Sequence, residues 1–370
     1  MQRIIVSVTS DLVTDQRVHK VCTTLVSMKY EVILIGRKLP NSLPINRSYR
    51  TIRMNLFFKK KWVFYAEYNL KLFFKLLFLK KDILLSNDLD TLLPNFLISK
   101  LFGKKLVYDS HELFTEVGEL INRPKIQKVW LSIEKWIFPK LKNVYTVNKS
   151  IANFYQKKYG VDVEIVRNIA PKLQNKTVDL AFSKKIKGDK KMIIFQGSGI
   201  NSDRGAEEAI QMMQYLENTI LYIIGGGDVF KELKVLTNSL QLEDKVIIKD
   251  KLPYDELMEY TKIADLGLSL DKSINLNYEF SLPNKVFDYI QAGIPLLISN
   301  RKEVAAIVSE NKIGWIIEDV EPKKMAEKVT LIFNDNEQYQ IYKENLINVA
   351  DKYCWEKESE KLKRIFKRLK

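Results

Sequence analysis

The sequence predicts an α/β protein built from two doubly wound, parallel-sheet domains in tandem. Three observations carry this expectation. The chain has 370 residues, more than one ordinary core holds. Short apolar runs alternate with longer amphipathic ones along its length, the pattern of parallel strands joined by crossover helices. That pattern pauses in a lysine-rich, weakly patterned stretch at 171–190 and then restarts. We therefore expect a first domain over 1–170, a linker over 171–190, a second domain over 191–340 and closing helices over 341–370.

In the first domain, residues 3–8 read as a strand feeding a helix from about 15 to 29. Further strands are expected at 31–35, 82–86, 105–108, 144–147 and 163–166, with helical patterns between them. The second domain opens with a strand at 192–195 and a helix from about 203. Strands at 221–224, 246–248, 266–270 and 295–298 follow, with a helix at 254–263 and a tail helix at 355–369. Gly225-Gly226-Gly227 reads mainly as turn and close-packing glycine.

Composition narrows the chemistry. Hydrophobic residues make up 46% of the chain, ordinary for a globular protein. Two cysteines, Cys22 and Cys354, give no disulfide framework, and with only His19 and His111 besides them no metal spacing appears. Reduced cysteines and a first strand at 1–9 without signal-peptide architecture lead us to expect a cytoplasmic protein.

Charge is placed unevenly. Residues 1–170 carry 29 Lys and Arg against 14 Asp and Glu, whereas 171–370 carry 31 of each. A basic first domain points to an anionic partner on that side alone. No nucleic-acid recognition module is present, so nucleic acid is not expected. An anionic membrane surface fits better, because of the segment from Lys59 to Lys81. Lys59-Lys60-Lys61 and Lys80-Lys81 flank a nearly apolar run, interrupted by Glu67, Lys71 and Lys75 at i+4 spacing on one helical face. The 18 residues 62–79 are marginal for a span, and a mid-span lysine costs about 2.5–3.5 kcal/mol. Two readings stay open: a helix buried between sheet and neighbours, or one lying at the bilayer surface.

Three stretches carry possible chemistry. In Ser281-Leu282-Pro283-Asn284-Lys285-Val286-Phe287-Asp288, a proline opens a helix whose first turn holds Lys285. Free N–H groups, the helix dipole and the lysine suit a phosphate. Asp288 follows at i+3, and Gly293 ends the helix before a buried strand. In Gln196-Gly197-Ser198-Gly199-Ile200-Asn201-Ser202-Asp203-Arg204-Gly205, a Gly-rich turn offers backbone amides and Arg204 a bidentate fork for phosphate oxygens. In Asp109-Ser110-His111-Glu112, a histidine follows a strand end, with Asp109 and Glu112 as candidates to orient it; Asp109 also suits a helix cap.

These motifs resemble those of retaining glycosyltransferase family 4, enzymes of the GT-B fold that use nucleotide sugars. The resemblance covers most of the chain and is most specific between about 190 and 320. It implies two Rossmann-like domains facing a central cleft, with the tail helix returning to the first domain. It also implies a nucleotide-sugar site at Gly197, Arg204, Glu279, Ser281, Leu282, Lys285 and Asp288, where Arg204 and Lys285 hold the diphosphate and Asp288 the ribose. His111 matches a cleft histidine that contacts sugar or acceptor, with Asp109 and Glu112 beside it. The loop after the first strand faces the acceptor. It lacks the usual glycine pair here, so Asp15 stands either there or as a helix cap, and His19 is expected to have no chemical role. His111, Lys285 and Arg204 are the expected catalytic set, with no metal and no cofactor.

One departure stands out. Family members often carry two acids with seven residues between them, and the position matching the first is Phe280, with Glu279 one residue earlier. Either Glu279 serves through a shifted loop, or this chain dispenses with that acid and relies on Lys285. The implied reaction moves a sugar from a nucleotide-diphosphate donor to a glycan or lipid-linked acceptor, with retention, in cell-surface polysaccharide or glycolipid synthesis. The expected place of work is the inner face of the cytoplasmic membrane. The alternatives are a nucleotide-sugar epimerase of the same fold and a non-catalytic, membrane-associated partner subunit.

Overall fold

The protein was analysed as a computed structural model, which describes residues 1–40, 42–174 and 177–369. It divides into two compact units. The first comprises Met1–Asn168, Asn275–Asn277 and Glu358–Lys370, and the second Ile169–Ile274 and Tyr278–Lys357.

The first unit holds β1 (Arg3–Asp11), β2 (Glu31–Arg37), β3 (Arg50–Met54), β4 (Ile83–Asn87), β5 (Lys105–Ser110), β6 (Val144–Thr146) and β7 (Glu164–Ile165). All pair in parallel in the order β3-β2-β1-β4-β5-β6-β7. β3 was not anticipated: its Arg-Thr-Ile-Arg-Met sequence carries two charges, which an edge strand tolerates on its open side.

The second unit holds β8 (Lys191–Gly197), β9 (Thr219–Gly225), β10 (Val246–Asp250), β11 (Leu266–Ser269), β12 (Leu296–Ser299) and β13 (Gly314–Ile317), again all parallel, in the order β10-β9-β8-β11-β12-β13. Side chains along β8 alternate between two cores. Ile193 and Phe195 pack on one face with Ala206, Ile210 and Leu233, and Met192 and Ile194 on the other with Phe287, Tyr289 and Ile290. Covering both faces is what turns these strands into continuous apolar runs.

The stretch 171–190, expected as a linker, belongs to the second unit and carries the helix Leu180–Lys187, N-capped by Asp179. Residues 175 and 176 of that stretch lie outside the described residues. The closing helix runs Trp355–Lys367, and from Glu358 onward it belongs to the first unit. There the Tyr30 hydroxyl donates to the Phe366 carbonyl at 2.9 Å, and the Glu358 carboxylate accepts from the Arg167 backbone N–H at 2.9 Å.

The helix Lys61–Phe78 resolves the ambiguous segment by using two faces. Phe64, Tyr68, Leu72 and Leu76, spaced i+4, are buried. Tyr68, Leu72 and Leu76 pack with Ile5, Ile33, Ile35 and Leu84 of the sheet. Trp62, Leu70, Phe74 and Phe78 stay exposed, as do Phe57 and Phe58 before the helix. Glu67 accepts from the Phe57 and Phe58 N–H groups and pairs with Lys71 at 2.6 Å, so two of the three expected face charges neutralise each other. Lys81 is no surface charge: it is buried, and its ammonium donates to the Leu76, Leu77 and Leu79 carbonyls, closing the helix C-terminus. Among the described residues, no helix is long and apolar enough to cross a membrane.

Candidate functional site

The winding of the second sheet reverses between β8 and β11, and open parallel sheets bind ligands beyond their strand ends at such a switch point. Gly197 closes β8, and Asp271 lies just past the end of β11. The turn after β8 is packed backbone on backbone. Gly226 N donates to Gly197 O at 3.2 Å and Ile200 N to Gly226 O at 2.8 Å. A Cβ at Gly225 would meet Gly197 O at 1.8 Å, so the glycine run serves packing. Gly205 has φ +80, and a Cβ there would meet Leu270 at 2.5 Å, which holds the neighbouring Arg204 against the end of β11.

Arg204 donates through Nη1 to Asp271 Oδ2 at 2.8 Å and lies over the Tyr278 ring at 4.3 Å. Ser281 Oγ donates to the same carboxylate oxygen at 3.4 Å. Asp271 is 1% exposed, and among the described residues its Oδ1 has no hydrogen-bond partner; neither has Arg204 Nε. Lys285 sits in the first turn of the helix Asn284–Ala292, whose N-cap Pro283 provides no side-chain capping bond. Its ammonium lies 4.0 Å over the Phe195 ring and makes no hydrogen bond to a described residue. Burial pushes its pKa down to about 8, with the Asp271 carboxylate opposing and Arg204 adding to the shift.

The two expected acids are held by other residues. Asp288 accepts from Gln196 Nε2 and from the Tyr254 hydroxyl, both at 3.0 Å, one on each oxygen. Gln196 is in turn fixed by the Thr261 hydroxyl at 2.8 Å. Glu279 pairs with Arg301 at 2.7 Å and accepts from Ser273 at 2.5 Å. Leu282 packs against the apolar layer around Phe287 and Tyr289.

In the first unit, His111 is set between two carboxylates. Its Nδ1 lies 3.0 Å from Asp88 Oδ2 and its Nε2 3.2 Å from Asp109 Oδ2, while Nε2 shares a 3.3 Å hydrogen bond with Asn87 Oδ1. Asp109, fully buried, also takes the Arg17 guanidinium in bidentate fashion, at 3.1 and 2.6 Å. Burial disfavours the charged imidazole, but Asp88 and Asp109 outweigh it and raise its pKa well above 6.5. Burial likewise opposes ionisation of Asp109, yet Arg17 and His111 bring it down to about 2. The two carboxylates thus favour the protonated, positively charged form of the ring.

Asp88 holds its place at a cost. It has φ 56, a left-handed conformation that non-glycine residues adopt at about 1–3 kcal/mol, and its Oδ1 accepts from His111 N at 2.8 Å. Asp90, in the first turn of the next helix, Leu89–Phe102, is buried and has its pKa pushed up to about 7, first by burial and then by Asp88. Thr9 donates to it at 2.5 Å.

Of the expected orienting pair, Asp109 touches His111, while Glu112 accepts from Asn277 Nδ2 at 3.0 Å within the same unit. Asp15 is the N-cap of the helix Gln16–Ser27, accepting from Val18 N at 3.0 Å and Ser10 Oγ at 2.6 Å. His19 shares a 2.8 Å bond with the Tyr49 hydroxyl. Arg17, Asp88, Gln196, Tyr254 and Asp271 were not singled out from sequence. Asp88 and Asp271 each follow a strand end, a position that marks them once the strands are placed.

The family model described as Glycosyl transferases group 1 matches residues 178–349, and the one described as Glycosyltransferase Family 4 matches 15–170. No curated protein sequence matches the chain. Sucrose-phosphate synthase from Thermosynechococcus elongatus is similar in structure, with a TM-score of 0.82 at 15% identity, covering 100% of this chain and 99% of that one. WaaG, a glycosyltransferase involved in lipopolysaccharide biosynthesis, gives 0.72 at 15% identity over 97% and 98% of the two chains. Anabaena HepE, solved with UDP and glucose, gives 0.74 at 11% identity over the whole of both. At these identities the structural likeness speaks for the fold. The two family models between them span the second sheet, all of the first sheet except β1, and the helix start at Lys285, and the chain belongs to the family 4-like glycosyltransferases of the GT-B fold.

Proposed function

We propose that this glycosyltransferase moves a sugar from a nucleotide-diphosphate donor to a glycan or lipid-linked acceptor, with retention, in the making of a cell-surface polysaccharide or glycolipid. The observation that carries the donor is the pair of cations at the switch point of the second sheet. Arg204 pairs with Asp271, and Lys285 stands close enough to feel both charges at an uncapped helix start, so that two cations face one carboxylate where a diphosphate would sit. As the sugar leaves, charge grows on that diphosphate, and preorganised cations there lower the barrier. This is work a divalent ion does elsewhere, so the reaction is expected to survive chelation. The imidazolium of His111 offers positive potential to a sugar or acceptor oxygen in the first unit. That HepE has been solved with UDP-glucose supports a donor of this class.

The test is a panel of UDP-, GDP-, dTDP- and CMP-sugars, screened by thermal shift and then by turnover with EDTA present. A nucleoside-diphosphate sugar should raise Tm by mass action. Sugar transfer to acceptor supports the transferase; donor converted with no acceptor product means an epimerase, and binding with no turnover a partner subunit.

For the acceptor side, we place the enzyme on the cytoplasmic face of an anionic membrane through its basic first unit. Lys59, Lys60, Lys61 and Lys80 are exposed around the apolar face of Trp62, Leu70, Phe74 and Phe78. Each lysine near such a surface contributes about 1 kcal/mol. Vesicles with anionic lipid should bind the protein more tightly than neutral ones, and replacing the four lysines by glutamine should release the salt-sensitive part. The exposed aromatic residues should hold a remainder at high salt. Equal partitioning onto both kinds of vesicle would leave a soluble glycan as the acceptor.

A further inference from the structure

We infer that Asp271 is the acid that reads a hydroxyl of the donor sugar, in place of the missing acid at Phe280. The inference rests on the donor reading above and deepens it. A transferase that holds the diphosphate by cations still needs a hydrogen-bond acceptor to recognise the sugar attached to it. Three carboxylates in the second unit are candidates, and the structure separates them. Glu279, the neighbour in sequence of the vacant position, is bound by Arg301 and Ser273 through the same oxygen and is turned to that pair. Asp288 has each oxygen taken, by Tyr254 and by Gln196. Asp271 alone of the three has an oxygen, Oδ1, that is buried and without a donor.

Its place fits the role. Asp271 follows β11 at the switch point, shares Oδ2 with Arg204 and Ser281, and so lies beside both the diphosphate cation and the residue next to Phe280. Its backbone is pinned as well, since Ser299 Oγ donates to its carbonyl at 2.7 Å. Buried carboxylate oxygens almost always have partners, and one left empty loses its hydration for nothing in return. A sugar hydroxyl brought in on a diphosphate held by Arg204 is a donor of the right kind. Ser281 and Arg204 fix the carboxylate's direction, so the contact selects one hydroxyl and not several.

The experiment uses the full chain, a donor turned over in the panel, and that donor's 2-, 3-, 4- and 6-deoxy analogues. A site built to hydrogen-bond a hydroxyl rejects the analogue lacking it. Wild-type enzyme is expected to use one deoxy donor at least tenfold less well in kcat/KM than the parent. In D271N, which keeps the shape and an acceptor for Arg204, that ratio should fall toward one. In E279Q it should stay at the wild-type value. Tm of each variant is measured alongside, and the wild-type ratios need no variant at all. Three results overturn the assignment: wild-type indifference to every deoxy donor, undiminished discrimination in D271N, or its loss in E279Q instead. Failure of the donor reading looks different, because the wild type then uses no nucleotide sugar, and the assignment falls with it.

Discussion

Replacing Lys285 by alanine is expected to lower kcat/KM for the donor about tenfold or more, with the fold intact. The ammonium makes no hydrogen bond or ion pair with a described residue, so its removal costs the fold only the contact over the Phe195 ring. What it removes is a charge-assisted hydrogen bond to the diphosphate, about 1.5–3 kcal/mol. The pH dependence gives this prediction a sign. With a free-enzyme pKa of about 8, Lys285 is charged below that pH and neutral above it. Donor kcat/KM should therefore fall as pH rises through about 8, since that parameter reports the free enzyme. Lys285→Arg, whose charge persists, should remove that alkaline limb. Arg204→Ala should cost a similar factor while leaving Asp271 unpaired, and so should also lower Tm. Donor use by Lys285→Ala equal to wild type, or an alkaline limb that persists in Lys285→Arg, would take Lys285 out of the site.

Asp109→Ala should produce the largest loss of stability, about 3–5 kcal/mol, because it strands a buried guanidinium. Arg17 is 3% exposed and, among the described residues, has Asp109 as its only carboxylate partner within 4 Å. For a unit of this size that corresponds to a fall in Tm of roughly 6–20 °C. The sign with pH follows from the shifts. Asp109, lowered to about 2 from 3.8, contributes stability that is present above pH 3.8 and lost as pH falls toward 2. His111, raised above 6.5, contributes stability that is present below 6.5 and lost as pH rises through its folded value. The gap between wild type and Asp109→Ala should thus be widest between about pH 4 and 6.5. Thermal unfolding across pH 3 to 9 measures it, and a gap under about 1 kcal/mol would mean that the carboxylate is not structural.

The strand pattern was legible because both faces of each sheet are covered, which forces unbroken apolar runs such as Met192-Ile193-Ile194-Phe195. The helix start at Lys285 was legible for a local reason: proline, lysine and a closing Gly293 with φ 72 act within a few residues of one another. β3 was hidden by its charges, and the helix Lys61–Phe78 could not be assigned to core or surface because it is apolar on both sides. Lys81 looked like a surface charge until its ammonium was seen to close that helix.

By itself, then, the sequence determined the α/β class, the tandem arrangement, the basic first half and the helix start at Lys285. Each depends on neighbours in the chain, where periodicity and capping act. Which carboxylate serves which cation was decided only by the tertiary structure. Arg17 meets Asp109 across 92 positions and Arg204 meets Asp271 across 67, separations that no local pattern encodes. The same long-range packing occupies Asp288 and Glu279 and leaves Asp271 with an empty oxygen, since a buried acceptor is satisfied or orphaned by whatever the fold brings beside it.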